Sequence, residues 1–282
     1  YDKTAMDQGR CPYNEANCPA NPSMQDLINA LIFGIIEGVT EFLPISSTGH
    51  LLIAQHWLGA KSELFNIGIQ AGAILAVTLI YRKRLWQLAT GLQDAQNRDY
   101  ALKLSVAFLI TAVLGLIAGK MGLSLPDSVQ PVAWALVLGA LVMFWAEHKT
   151  GLNDAETAIT WKVAIAVGLA QVVAAVFPGT SRSAATIFAA MMFGTRNRGA
   201  ATEFAFLVGI PTMYAASGYA LLKELNAGAD ENWAAFAVGF IASTVTAFIA
   251  VKWLLKYIQT HRFTGFAWYR IALGGALILL VD

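Results

Sequence analysis

The chain has 282 residues, 57% hydrophobic and only 13% charged, against about 45–50% and about 25% in ordinary soluble domains. Nineteen Lys and Arg face eighteen Asp and Glu, a net charge of +1, which supplies no field to hold a polyanion. A soluble enzyme and a nucleic-acid binder are both disfavoured from the start.

Residues 1–23 are polar and contain three of the eight prolines and both cysteines, Cys11 and Cys18. They lack the basic start and apolar run of a signal peptide. The segment reads as a dispensable extension or an expression remnant, in which the cysteines could bridge in an oxidising compartment or stay free. The composition breaks at Met24, so residues 24–282 form the membrane domain.

Charge-free stretches then recur: Leu64 to Tyr81, Leu104 to Gly119, Ser128 to Ala146, Val163 to Ser181, Phe204 to Leu222, Asn232 to Val251 and a shorter Ile271 to Val281. About 20 apolar residues cross a bilayer as a helix, and these runs show none of the two-residue alternation of a membrane barrel. The fold class is all-α, a polytopic integral membrane helical bundle.

Basic residues mark cytoplasmic loops. Arg82, Lys83, Arg84, Arg98 and Lys103 place one segment inside, as do Lys149 with Lys162, and Lys252, Lys256, Arg262 and Arg270. The segment around Lys120 and Asp127, and that holding Lys223, Glu224, Asp230 and Glu231, read as outside. Arg196 and Arg198 then create a conflict, because both ends of Val163 to Gly194 look cytoplasmic. A re-entrant helical hairpin turning at Phe177-Pro178-Gly179-Thr180 removes it, since Pro and Gly break a continuous helix there. By the same logic Leu27 to Leu58 enters from outside and turns at Leu43-Pro44-Ile45-Ser46. A shift of 134 positions lays Gly34 on Gly168, Glu37 on Gln171, Pro44 on Pro178, Ser46 on Thr180 and Ser47 on Ser181. Inverted-topology repeats whose broken helices meet commonly build a polar site at the meeting point, so the two tips are where function is expected.

At the first tip, Glu37 and Glu41 lie four apart and project from one helix face. Each costs about 2.5–3.5 kcal/mol near the bilayer centre, unless offset by a divalent cation, an arginine or a wet helix end. Ser46 or Ser47 is placed to cap the returning helix, whose free N–H groups and dipole favour an anion. His50 shares a face with Ser47 and suits either proton transfer or packing; His56 reads as structural. At the second tip, Arg182 offers a planar fork for phosphate or a permanent salt bridge to Glu37 or Glu41. This inventory fits phosphoryl transfer. A secondary transporter or lipid flippase is the rival, but it needs no nucleophile. Glu203 reads as a helix-start or interfacial charge, and Trp145, Trp161, Trp233, Trp253 and Trp268 as an interfacial belt.

In Glu37-Gly38-Val39-Thr40-Glu41-Phe42-Leu43-Pro44-Ile45-Ser46-Ser47-Thr48-Gly49-His50 and in Pro178-Gly179-Thr180-Ser181-Arg182-Ser183, the chain resembles the bacterial undecaprenyl-pyrophosphate phosphatase family, also called BacA or UppP. The likeness spans Met24 to Asp282, with Ala184 where the family usually has Gly. The resemblance implies hydrolysis of undecaprenyl pyrophosphate to undecaprenyl phosphate for cell-wall synthesis, with bacitracin resistance. It implies a bacterial inner-membrane bundle of interlocked inverted repeats, its site opening to the periplasm. Ser47 then looks like the nucleophile, Glu41 and Glu37 like carboxylates in base or metal roles, His50 like a proton-transfer or phosphate-contacting residue and Arg182 like the pyrophosphate clamp; direct attack by metal-bound water, with Ser47 only hydrogen-bonding, is the alternative the sequence leaves open. Ser46, Thr48, Ser181 and Ser183 become substrate-binding hydroxyls. The implied cofactor is a divalent cation, Mg²⁺ or Ca²⁺. The implied partners are the polyprenyl pyrophosphate lipid and the bilayer but no nucleic acid, and a homodimer is compatible with the family.

Overall fold

The computed structural model describes residues 23–123, 128–150, 158–226 and 231–280. The amino-terminal extension up to residue 22, with Cys11 and Cys18, lies outside them. Helix starts are set by short polar side chains that satisfy free N–H groups. The Ser23 hydroxyl accepts from Asp26 N at 3.1 Å while the Asp26 carboxylate accepts from Ser23 N at 3.2 Å, opening α1 (Met24–Thr40). Ser62 opens α3 (Glu63–Thr90), Asp94 opens α4 (Ala95–Lys120), Thr160 opens α6 (Trp161–Val176) and Asn232 opens α9 (Trp233–Tyr257) in the same way. The remaining described helices are α2 (Ser47–Leu58), α5 (Val129–Thr150), α7 (Arg182–Phe193), α8 (Arg198–Asn226) and α10 (Thr264–Leu280).

Five of these, α3, α4, α5, α8 and α9, are long and apolar enough to cross a bilayer, and they coincide with the expected spans. The protein is a polytopic helical membrane protein. The run Val163 to Ser181 is instead split between α6 and the turn before α7. At 12 residues each, α2 and α7 are about 18 Å long, short of the roughly 30 Å hydrocarbon core. Each pairs with its predecessor as a helical hairpin. Asn29 near the start of α1 donates to Leu58 O at the end of α2 (3.4 Å), and Thr195 after α7 donates to Ala158 O before α6 (2.8 Å).

The internal repeat extends over the whole bundle. Helices α1 to α5 have 17, 12, 28, 26 and 22 residues; α6 to α10 have 16, 12, 29, 25 and 17. The halves interlock, α1 packing on α9 as its counterpart α6 packs on α4, while α3 meets α8 and α5 meets α10. Gly34 and Gly168 are the contact points of the first two pairs. A Cβ on Gly34 would stand 2.3 Å from Gly239 O, and one on Gly168 2.8 Å from Ala107 O. Small residues admit such backbone approach between apolar helices.

Segments expected on the same side of the membrane touch one another at the helix ends. Glu147, near the end of α5, accepts from Arg198 Nε (3.0 Å) and Nη2 (2.5 Å) at the start of α8 and from Phe263 N (2.9 Å) before α10. Arg84, near the end of α3, pairs with Glu203 at 3.3 Å. All of these belong to segments expected inside, and they meet at one end of the bundle. Ser62 and Glu231, from two segments expected outside, are hydrogen-bonded to each other.

Three loop charges are corrected. Arg198 and Lys103 are buried within helices, Lys103 beside Asp99, and Arg270 is fully buried in α10. Arg198 and Arg270 find polar partners on other segments and Lys103 finds one a turn earlier in α4 itself, which removes each from the loops to which charge alone assigns it. The five tryptophans are 45–65% exposed and lie close to helix ends, as an interfacial belt requires.

Candidate active site

The two hairpin turns meet inside the bundle. In the first, residues 41–46 are all buried; Phe42, Leu43 and Ile45 join the main core, and the Phe42 ring meets Phe206 edge-on at 5.2 Å. Ser183 of α7 ties the tips together by donating to Leu43 O at 3.0 Å. Its hydroxyl also meets that of Ser181 at 3.0 Å. Ser183 thus faces the partner hairpin, whereas Ser181 lies on the cavity described below.

The backbone at the two turns corrects the expected alignment. Ser46 (φ +71°, ψ 104°) and Ser181 (φ +67°, ψ 111°) are the positive-φ residues other than glycine among the described residues. Each sits at the N-cap of its short helix. Ser46 therefore corresponds to Ser181, a shift of 135, while Gly34 and Gly168 differ by 134: the second turn carries one extra residue. Ser47 then matches Arg182, both at the first helical position. The two N-caps also differ chemically, because Ser181 Oγ accepts from Ala184 N (3.3 Å) whereas the Ser46 side chain makes no capping bond.

A polar cavity of about 80 Å³ opens between the tips. The first hairpin contributes Glu41, Ser46, Ser47 and Thr48, the second Pro178, Gly179, Ser181 and Arg182, and α3 contributes Gln70. A wider cleft of about 280 Å³ shares Ser47, Thr48 and Gln70 with it and reaches Glu37, Asn66 and Glu63. Ser47 stands at the junction, donating to Glu41 Oε2 at 2.6 Å. That contact orients the hydroxyl and gives its proton a destination, the requirement for an activated nucleophile.

Three buried polar atoms here lack partners: Glu37 Oε2, Asn66 Oδ1 and Arg182 Nη1. Native interiors satisfy nearly all such groups, so the open donor suits an anionic group and the two open acceptors suit water, a donor or a cation. Among the described residues Arg182 forms no ion pair within 4.0 Å with Glu37 or Glu41. The permanent salt bridge is not what the fold builds.

His50 is not on the cavity wall. Its Nδ1 lies 2.7 Å from Ser46 O and its Nε2 2.7 Å from the Tyr269 hydroxyl of α10, with the two rings stacked. It ties the strained Ser46 turn to α10.

Arg270, the next residue of α10, is read from the sequence only as a loop charge, and its place at the tips is not legible there. Its Nη1 donates to Thr180 O (3.0 Å) and reaches Pro44 O (3.5 Å), Nη2 donates to Ala135 O (3.0 Å) and Gly179 O (3.2 Å), and Nε to Leu136 O (3.2 Å). Five N–H groups meet five carbonyls, three of them from the two tips. Gly139 makes room, since a Cβ there would stand 2.2 Å from Arg270 Nη2. An intramembrane ionisable residue is functional by default, and that rule could have flagged Arg270. Gln70 carries no comparable signal.

A family model described as bacitracin resistance protein BacA matches residues 30–276. The chain belongs to this family. It is 64% identical over 258 residues to an undecaprenyl-diphosphatase of Xanthomonas oryzae pv. oryzae (strain PXO99A), covering 91% of this chain and 97% of that one. Undecaprenyl-diphosphatases of Xanthomonas axonopodis pv. citri (strain 306), 64% identical over 258 residues, and of Rhizobium etli (strain CIAT 652), 63% identical over 255, are similarly related. The BacA match covers both hairpin turns, so the polar cavity between the tips lies wholly within the matched residues.

Proposed function

We propose that this chain is an undecaprenyl-diphosphatase, removing the terminal phosphate of undecaprenyl diphosphate to leave undecaprenyl phosphate. One observation carries the reading beside the family: a hydroxyl bonded to a carboxylate, Ser47 to Glu41, shares a cavity with the open Nη1 of Arg182. A transporter or flippase site would need the arginine but not the poised hydroxyl. In the reaction Glu41 takes the Ser47 proton as Oγ attacks the terminal phosphorus. The bond to the bridging oxygen breaks, undecaprenyl phosphate leaves, and water then cleaves the phosphoserine to inorganic phosphate. Arg182 binds the charge that builds on the phosphoryl oxygens, where an oriented donor in a dry site acts most strongly. Ser46, Thr48 and Ser181 offer further hydroxyl contacts. Ser183 and His50 hold the tips in place.

Glu37 and Glu41 suit a divalent cation, Mg²⁺ or Ca²⁺, with Ser47 and Gln70 as neighbouring oxygen donors. The open Glu37 Oε2 supports this. Among the described residues no cluster of three or more His, Cys, Asp or Glu exists, and Mg²⁺ typically uses one or two carboxylates with the substrate's own phosphates. Such an ion supplies charge neutralisation to the diphosphate. The hairpins would be re-entrant, giving three crossings per repeat and inverting the second half, with the site facing the periplasm from a bacterial inner membrane.

The deciding experiment is phosphate release from undecaprenyl diphosphate by purified protein in detergent, with Mg²⁺ or Ca²⁺ and no gradient. Release is expected. Its absence with both metals would favour transport.

A further inference from the structure

An apolar cavity of about 610 Å³ lies between α5, α6 and α7, with Thr180 of the second turn in its wall. Small side chains hollow it out, among them Ala166 and Ala170 of α6 and Ala185 and Ala189 of α7. Its outer rim is formed by Leu169 and Val173, both nearly half exposed.

What gives this groove an occupant is its junction with the polar site. On α6, Val173 lines the groove and Ala174 lines the polar cavity; on the second turn, Thr180 lines the groove and Ser181 and Arg182 the polar cavity. On each element, consecutive residues line the two spaces. A molecule with a diphosphate against Arg182 and an apolar tail therefore finds the tail's first atoms beside Thr180. From there the groove follows α7 to Phe193, 12 residues or about 18 Å, a length that takes several isoprene units. Its volume is that of a typical ligand pocket. Ala184 also belongs here: its N–H serves the Ser181 cap, while its methyl faces the groove rather than the phosphates.

We propose that this groove binds the phosphate-proximal isoprene units of the lipid substrate, an assignment that rests on the phosphatase reading above. The tail anchors the diphosphate between the tips, and the more distal units leave the groove sideways over Leu169 and Val173 into the bilayer.

The test fills the groove and varies the tail. Ala170→Phe and Ala185→Phe, both at half-buried positions on its wall, are assayed in the purified full chain on undecaprenyl, farnesyl and isopentenyl diphosphates. All three carry the same head group. The expected loss in kcat/KM is about tenfold or more for the two longer tails and markedly smaller for isopentenyl diphosphate, as a steric block in an apolar pocket requires. As a second measurement, a farnesyl diphosphate bearing a diazirine on its last isoprene unit should label α6 and α7 in the unsubstituted protein, with excess undecaprenyl diphosphate suppressing the label. Equal losses on all three substrates, no loss on any, or label confined to other helices would overturn the assignment. So would undiminished label in the presence of excess undecaprenyl diphosphate, which would make the groove a site for bulk lipid. Failure of the unsubstituted protein to release phosphate from any of the three would instead remove the phosphatase reading itself.

Discussion

Ser47 donates its hydroxyl proton to Oε2 of Glu41 across 2.6 Å, and both groups belong to one hairpin turn. The carboxylate is 9% exposed, so little water competes for the contact. Glu41→Gln keeps the shape but removes the proton acceptor. The expected loss in kcat is about 10²- to 10⁴-fold, the usual weight of a positioned general base, and Ser47→Ala should cost at least as much. Rapid quench with terminally labelled substrate checks the order of events. Label should accumulate on Ser47 in unsubstituted protein and vanish in Ser47→Ala, and near-normal turnover by Ser47→Ala would remove the nucleophile role.

Arg182 Nη1 is buried with no protein partner, which is costly unless substrate supplies one. Arg182→Lys retains the charge and loses the planar fork. About 2 kcal/mol or more of transition-state stabilisation should disappear from kcat/KM. Steady-state kinetics on undecaprenyl diphosphate reads this directly, and unchanged catalytic efficiency would contradict the clamp.

The turns were legible because Pro44, Pro178 and Gly179 interrupt apolar runs, and backbone chemistry leaves few alternatives to a break there. The carboxylates and Arg182 stood out because charge is expensive in apolar surroundings. Arg270 obeys the same rule but was masked by its neighbours: Lys252, Lys256 and Arg262 made it look like the last member of a basic loop, whereas α10 begins at Thr264. Five carbonyls from three segments remote in sequence satisfy it, and no local pattern encodes that. The alignment slip between Ser46 and Ser181 has a similar origin. Proline and serine identities favoured a constant shift of 134, while the correspondence is carried by backbone angles.

Ser46 holds φ +71° and ψ 104° without a capping bond, a conformation that costs a side-chain-bearing residue about 1–3 kcal/mol. Ser46→Gly should relieve part of this and raise stability by about 0.5–1 kcal/mol. Ser181→Gly should gain less, because it also forfeits the cap to Ala184 N. Thermal unfolding in detergent gives the ranking. If the Ser46 hydroxyl binds phosphate, as its place on the cavity suggests, Ser46→Gly combines greater stability with a raised KM.

Glu147 receives both Arg198 and the N–H of Phe263 while only 1% exposed. Breaking a buried pair by removing one partner typically costs about 3–5 kcal/mol. Glu147→Ala should therefore destabilise the end of the bundle where α5, α8 and α10 meet, remote from the hairpin tips. Chemical denaturation should show the loss, while kcat of the protein that remains folded falls far less than in Glu41→Gln.

Arg270 provides the sharpest separation of folding from catalysis. Its guanidinium fills the space between the tips and α5, so Arg270→Met leaves the Thr180, Gly179 and Pro44 carbonyls of the tips without this donor, while Ala135 and Leu136 keep their helix hydrogen bonds within α5. Each buried acceptor so abandoned costs about 1–3 kcal/mol unless it finds water. Arg270→Lys keeps three donors on one nitrogen and should fall between. The expected order of melting temperature is unsubstituted, then Lys, then Met. Stability alone would not make Arg270 a positioning residue. The discriminating measurement is kcat well below the melting transition of each variant. If Arg270 fixes the second tip, and through it Arg182, relative to Ser47, kcat should drop about 10²-fold even in fully folded protein, the scale of a 1 Å misplacement. KM should change much less, and a folded Arg270→Met variant with native kcat would reduce Arg270 to a structural brace.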